Sequence, residues 1–231
     1  MSSAHFADDV ASAHSREIRA GANLWDGRAE AYLDSEAHRE GPDLDLIVEW
    51  AAGARTALDV ATGGGHVARR LREVGVKVTS CDPAPGMQPD VVCTAERLPF
   101  ADGSFEVVAC RVAAHHFEDI VVAVNEMARV SSDRVLVVDN LFASETVEEA
   151  ERLRDPSHVR SYTEIEWRAM LDGAGLRVEE GRITDRPLAF EAWLERAGCT
   201  GDDARRVREL LADRIDGDHV RFERICLKGR K

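Results

Sequence analysis

The chain has 231 residues, 44% hydrophobic and 32% charged, which is the composition of a folded, water-soluble protein with a sizeable core. Its net charge is −13 at pH 7, and no basic stripe interrupts the acidity, so we expect no nucleic-acid partner.

The five cysteines are scattered, and no two are spaced as CxxC. This pattern predicts a reducing cytoplasm, with no disulfide framework and no metal site. The first 14 residues include acids and lack an apolar core, so they do not resemble a signal peptide. No apolar run approaches the roughly 20 residues that span a bilayer, so no membrane association is expected.

Strand and helix patterns alternate along the chain. The run "TALDVA" is nearly all apolar, as in a parallel strand covered on both faces, and the helix after it places Val67, Leu71 and Val74 on one side. Asp119 is a plausible N-cap. We predict strands over 56–61, 76–82, 105–114, 133–142, 176–183 and 219–229, and helices over 43–54, 66–74, 118–131, 144–154, 162–175, 189–197 and 202–214.

This alternation predicts an α/β fold, a doubly wound and mostly parallel sheet with right-handed crossovers. With no internal repeat and no low-complexity linker, residues 1–231 are interpreted as one domain. Within it, 1–42 is expected to form a helical lid and 143–165 a substrate-covering insertion.

The glycine-rich turn after the first strand admits two ligands. Gly63, Gly65 and Ala68 fit the G-x-G-x-x-A fingerprint of dinucleotide-binding proteins, and Asp82 ends the next strand, where an acid can bind ribose hydroxyls. Asp59 favours a different nucleoside, because a carboxylate there would repel a pyrophosphate but attract the sulfonium and ammonium of S-adenosylmethionine. The alternative is that Asp59 only caps the amides of the loop.

Five short motifs occur in an order and spacing that is specific as a set: "AEAYLDSEAHREGPDL", "LDVATGGGHVA", "VTSCDP", "AERLPFADGSFEVV" and "CRVAAHHFED". Through them the chain, over 29 to about 140, resembles the class I S-adenosylmethionine-dependent methyltransferases, in the branch similar to the ubiquinone/menaquinone C-methyltransferases. The resemblance implies a seven-stranded Rossmann-like sheet and S-adenosylmethionine as cofactor.

The resemblance also implies roles for individual residues. The methionine part would lie against the turn, the ribose against the second strand, the adenine against the "AERL" segment, and the methyl donor near the end of the fourth strand, with two N-terminal residues closing the pocket. In that order the residues are Asp59, Ala61, Gly63 and Gly65; Asp82 and Pro83; Ala95, Glu96 and Leu98; Arg111 and Val112; and Tyr32 and His38.

The sequence departs from the family pattern at two places. Thr94 stands where the family usually has an aspartate that receives the adenine amino group, so a weaker hydrogen bond is expected. Between Asp82 and "DVVC", seven residues include Pro83, Pro85 and Pro89, too few and too proline-rich for a helix. We therefore predict that the helix after strand 2 is missing and that the exposed edge meets a homodimer partner or a lid, or is covered by the loop itself.

An oxygen or carbon acid acceptor needs a base for methyl transfer. His116 and His115 follow the fourth strand and are the candidates, and Asp139 ends the next strand at the same crevice. Each has an alternative role in packing, capping or loop orientation. In the insertion, Arg154, His158, Arg160 and Tyr162 are candidate contacts to an anionic or aromatic substrate, or a solvated surface.

The sequence thus predicts a methyltransferase that acts on a small, soluble acceptor at carbon, oxygen or nitrogen. An NAD(P)-dependent oxidoreductase is the first alternative, although no tyrosine has a lysine four residues on. A non-methylating protein that binds S-adenosylmethionine on the same fold is the second.

Overall fold

The computed structural model describes residues 39–231. The predicted positions Tyr32 and His38, and nearly all of the predicted lid, lie outside these residues.

The described chain forms one mixed sheet with helices on both faces, which confirms the predicted α/β class. The strands lie in the order β3-β2-β1-β4-β5-β8-β6, and β7 pairs with β8. The strands are β1 Thr56–Val60, β2 Lys77–Asp82, β3 Val91–Val92, β4 Phe105–Arg111, β5 Ser131–Asn140, β6 Arg177–Ala189, β7 Ile215–Asp216 and β8 His219–Arg230. The helices are α1 Pro42–Trp50, α2 His66–Glu73, α3 Ile120–Val130, α4 Glu145–Arg154, α5 Glu164–Gly173, α6 Phe190–Arg196 and α7 Gly201–Leu210.

Strands β1 to β5 are parallel, and their carboxyl ends therefore meet at one edge of the sheet. β8 is antiparallel to both β5 and β6 and brings the end of the chain between them. The two-residue strand β7 makes eight strands instead of the predicted seven. β6 is longer than its sequence pattern indicated, and it tolerates Pro187 because it is an edge strand.

Two apolar clusters cover the faces of the sheet, and a third lies beside them. Leu44, Ile47 and Leu71 belong to the cluster that packs α1 and α2 against one face, and Met127 and Trp167 to the cluster under α3 and α5 on the other. The third cluster joins α4, α6 and α7 to β8. The first two clusters hold the parallel strand ends, and with them the site, in fixed positions.

The apolar face predicted for α2 is only partly correct. Val67 and Leu71 are buried, but Val74 is 58% exposed. The helix ends at Glu73, and Val74 is its C-cap with non-helical angles, so its side chain leaves the helical stripe.

The predicted loss of the helix after β2 is confirmed. A single 3₁₀ turn, Pro85–Met87, connects β2 to a strand of two residues. Val92 at this edge is 55% exposed. A homodimer contact at the edge stays a prediction.

Among residues 39–231, none of the helices has the length and apolar character required to cross a bilayer. In the same part of the chain, no group of three or more His, Cys, Asp or Glu side chains is arranged to hold a metal ion.

Candidate active site

The turn after β1 requires backbone angles that favour glycine. Ala61, Gly63 and Gly65 have φ values of 51°, 49° and 71°, all in the left-handed region. Gly65 is the N-cap of α2, which begins at His66. The turn therefore exposes backbone instead of side chains at the carboxyl edge of the sheet, where a ligand can approach closely.

Asp59 lies under this turn and is almost fully buried. Its Oδ2 atom accepts hydrogen bonds from Thr62 Oγ1 at 2.5 Å and from the Ala68 N–H at 3.0 Å. Burial raises the pKa of Asp59 to about 6; the two hydrogen bonds oppose this rise, and the negative charge of Asp82 adds to it. Asp59 thus caps the amides of the loop, which was the alternative role considered for it. It also lines a cavity at this edge of the sheet, as the binding of a cationic ligand requires.

Asp82, at the end of β2, is held by backbone donors. The Gly63 N–H donates to its Oδ2 at 3.0 Å, and the Ala84 N–H donates to its Oδ1 at 2.9 Å. Each carboxylate oxygen has more than one acceptor site, so both can still receive a ribose hydroxyl.

The segment predicted to flank adenine borders the same cavity with Thr94, Ala95 and Glu96. Leu98 does not line it. The Leu98 side chain is buried in the core, and its N–H donates to Glu126 Oε2 at 2.9 Å. Leu98 therefore fixes the position of the segment.

Arg111 and Val112 follow one another at the end of β4, and both line the cavity. Val112 has φ 55°, which is a rare angle for a β-branched residue. Its N–H donates to the Val138 carbonyl at 2.7 Å, so the neighbouring strand holds this conformation. Such local strain is typical of functional sites.

His115 and Asp139 form a buried pair. The ring atom Nδ1 of His115 lies 2.5 Å from Asp139 Oδ1. The backbone N–H of His115 donates to the other carboxylate oxygen, Asp139 Oδ2, at 2.7 Å. Because an ionised carboxylate only accepts hydrogen bonds, Nδ1 carries the hydrogen, and Nε2 is left as the base. Burial alone would lower the pKa of His115, but the Asp139 carboxylate more than offsets this and raises it.

His116 is in a different environment. Its Nδ1 donates to the Ser157 carbonyl at 3.0 Å. Burial and the neighbouring His115 hold the pKa of His116 well below its usual range. His116 is therefore a neutral and weakly basic imidazole, and His115 is the better placed base of the two.

One cavity of about 250 Å³ joins these groups. It is lined by eleven of the residues predicted for catalysis or implied by the resemblance for the cofactor: Asp59, Ala61, Gly63, Asp82, Pro83, Ala95, Glu96, Arg111, Val112, His115 and His116. Gly65, Leu98 and Asp139 do not line it and act through neighbours. The sequence interpretation missed cavity residues on β6, α6 and β8, namely Leu188, Trp193, Arg196 and Arg224. No local motif marks these four.

The predicted substrate-covering insertion contributes one of its four candidates to the cavity. Arg154 lines the cavity, and its Nε donates to the Trp193 carbonyl at 2.9 Å. His158 is buried against Glu148, Arg160 pairs with Glu166 and Tyr162 belongs to the core. These three have structural partners in place of a substrate.

The hydrogen-bond donors of the glycine turn distinguish the two ligands that the fingerprint allows. In dinucleotide-binding folds, the amides of the turn and of the helix N-terminus hold a pyrophosphate. Here the Gly63 N–H is bonded to Asp82, and the Ala68 N–H, in the first turn of α2, is bonded to Asp59. Carboxylates therefore already take two of these amides, and such carboxylates suit a cationic ligand with free ribose hydroxyls.

Comparisons with known proteins agree with this geometry. The family described as "Methyltransferase domain" matches residues 58–138. The uncharacterized methyltransferase YcgJ of Bacillus subtilis is 34% identical over 203 residues, covering 78% of this chain and 80% of that protein. The crystal structure of the YcgJ protein has a TM-score of 0.74 at 29% identity and covers 82% and 97% of the two chains.

A demethylmenaquinone methyltransferase of Beutenbergia cavernae is 39% identical over 94 residues, which are 35% of this chain and 39% of that protein. The chain therefore belongs to the class I S-adenosylmethionine-dependent methyltransferases, in the branch that includes the demethylmenaquinone methyltransferases.

Proposed function

We propose that this protein transfers the methyl group of S-adenosylmethionine to a small-molecule acceptor, at carbon, oxygen or nitrogen, by in-line displacement. The observation that carries the proposal is the pair of carboxylates, Asp59 and Asp82, that take the amides of the glycine turn. They provide negative charge for a cation and acceptors for a ribose. Because the Gly63 and Ala68 amides already donate to these carboxylates, they are not available as donors to a pyrophosphate.

The cofactor supplies an electrophilic methyl group on a cationic sulfur. Asp82 would hold the ribose hydroxyls, and Asp59 would face the positively charged methionine part. The Ala95 and Glu96 segment would flank the adenine. These contacts fix one of the two reactants that the enzyme must align for an in-line displacement.

The acceptor would enter beside His115, whose Nε2 would take the proton that the nucleophile loses as its bond to the methyl carbon forms and the bond from that carbon to sulfur breaks. Asp139 acts through His115: it fixes the ring and its tautomer and stabilises the imidazolium. His116 and Arg154 border the same space and shape it.

Thermal unfolding with added ligand tests the proposal. S-adenosylmethionine at 100 times its dissociation constant should stabilise the protein by about 2.7 kcal/mol, and NAD should not stabilise it. Asp82→Ala should abolish the shift. Asp102→Ala is the control, because this aspartate is 81% exposed and lies outside the cavity. Stabilisation by NAD instead of S-adenosylmethionine would contradict the proposal.

A further inference from the structure

A cluster of guanidinium groups surrounds one carboxylate beside β8. Arg111 Nε and Arg224 Nη1 each donate to the same atom, Asp43 Oδ2, at 2.8 Å. The three side chains are buried, with 4%, 3% and 2% of their surface exposed. Burial alone would raise the pKa of Asp43, but Arg224, Arg111 and Arg186 together lower it to about 2. Asp43 is therefore an ionised carboxylate shared between arginines.

Asp43 carries one negative charge, and two guanidiniums, those of Arg111 and Arg224, donate to the same oxygen of it. Burial lowers the pKa of Arg224 to about 10, an effect that Asp43 opposes and that Arg111 and Arg186 reinforce. The Nε atom of Arg224 is buried and has no hydrogen-bond partner among residues 39–231. This buried Nε leaves the guanidinium short of hydrogen bonds, so a further acceptor on its other nitrogens would stabilise it.

The cluster opens into the same cavity as the proposed base. Arg111, Asn140 and Arg224 line the cavity together with His115. Arg224 is paired in register with Asn140, the residue after Asp139. β8 lies three strands away from β1, which is about 14 Å at the usual strand spacing. Arg224 thus lies on the side of the base, away from the strand ends that carry Asp59 and Asp82.

The structure points to a specific class of methyl acceptor, an inference that rests on the proposed function. We propose that Arg224, supported by Arg111 and Asp43, binds a carboxylate of the acceptor, and that the acceptor is a small organic acid. A carboxylate would accept from the guanidinium nitrogens of Arg224 that do not bond Asp43, which takes Nη1. Its apolar part would lie against Leu188 and Trp193, which line the same cavity.

Calorimetric titration of the protein loaded with S-adenosylhomocysteine tests this inference. The probes are phenylacetate and 3-phenylpropionate, each with its matched amide, and inorganic phosphate. Wild-type protein should bind a carboxylate at least about ten-fold more tightly than its amide. Arg224→Gln should remove this preference, and Arg224→Lys should retain part of it. Arg221→Gln is the control, because this arginine lies on the same strand, pairs with Asp216 and is 68% exposed.

Binding of S-adenosylhomocysteine itself separates the two proposals. We expect all three variants to bind it with wild-type affinity, which also shows that they fold. If Arg224→Gln weakens it ten-fold or more, the arginine holds the carboxylate of the cofactor and the inference is overturned. Equal binding of carboxylates and amides by loaded wild-type protein, or tighter binding of phosphate, also overturns it but leaves the methyltransferase proposal intact. Failure of wild-type protein to bind S-adenosylhomocysteine contradicts the methyltransferase proposal instead.

Discussion

Asp59 is a buried carboxylate that costs the ligand-free protein stability. Its pKa is raised from 3.8 to about 6, which corresponds to a cost of about 3 kcal/mol for the ionised form. The folded state binds the proton more tightly than the unfolded state. Stability from this group is therefore fully present below about pH 3.8 and is lost as the pH rises through about 6.

The substitution Asp59→Asn removes the charge and keeps the shape. The carbonyl oxygen of asparagine can accept both existing hydrogen bonds, from Thr62 and from Ala68. We expect the ligand-free variant to be more stable than wild type by about 1 to 3 kcal/mol at pH 7.5, and this gain to shrink by about 2 kcal/mol at pH 4.5. Affinity for S-adenosylmethionine should fall about ten-fold or more, because a neutral amide attracts a cation weakly.

Urea unfolding of the ligand-free protein at both pH values measures the first effect, and calorimetric titration measures the second. Asp202→Asn is the matched control, since this side chain is 88% exposed on α7. Its stability should follow wild type at each pH. If Asp59→Asn gains no stability at pH 7.5, or gains the same amount at both pH values, the reasoning about a destabilising buried charge is refuted.

Three further substitutions test other parts of the site and core. Ala61→Gly should raise the free energy of unfolding by about 1 kcal/mol, because Ala61 has the left-handed φ of 51°. Gly65→Ala should lower it by a similar amount, because Gly65 has φ 71°, although the added methyl group meets no atom within 4 Å. If urea unfolding shows that both substitutions change the free energy of unfolding in the same direction, the argument is contradicted. Asp139→Asn should reduce kcat at least about 100-fold and lower the pKa that His115 shows in the pH–rate profile, since that carboxylate raises it; an unchanged profile would remove the pair from the mechanism. Met127, on the buried face of α3, is fully buried, so Met127→Ala should cost about 2 to 5 kcal/mol in urea unfolding and leave the affinity for S-adenosylmethionine unchanged. A loss below 1 kcal/mol would contradict its core position.

The cofactor half of the site could be predicted from the sequence because it is local. Asp59, Gly63 and the start of α2 lie within eight positions of one another, so one turn decides their geometry. Asp82 needs only one further step, the pairing of β2 with β1, which the parallel pattern implies. The absence of a helix after β2 could also be predicted, because seven residues with three prolines are too few and too proline-rich to form one.

The acceptor half depended on tertiary structure. Asp43 and Arg224 are 181 positions apart and meet because β8 enters the sheet antiparallel, between β5 and β6. No periodicity or motif marks that register. The choice between His115 and His116 as the base also depended on tertiary structure. Adjacent in sequence, His115 contacts Asp139 and His116 contacts Ser157, because the 3₁₀ turn over Ala114–His116 directs their rings to different partners. Sequence alone thus determined the residues of the cofactor half, because they lie close together along the chain, whereas the packing of distant strands determined where the proposed base and the arginine cluster meet.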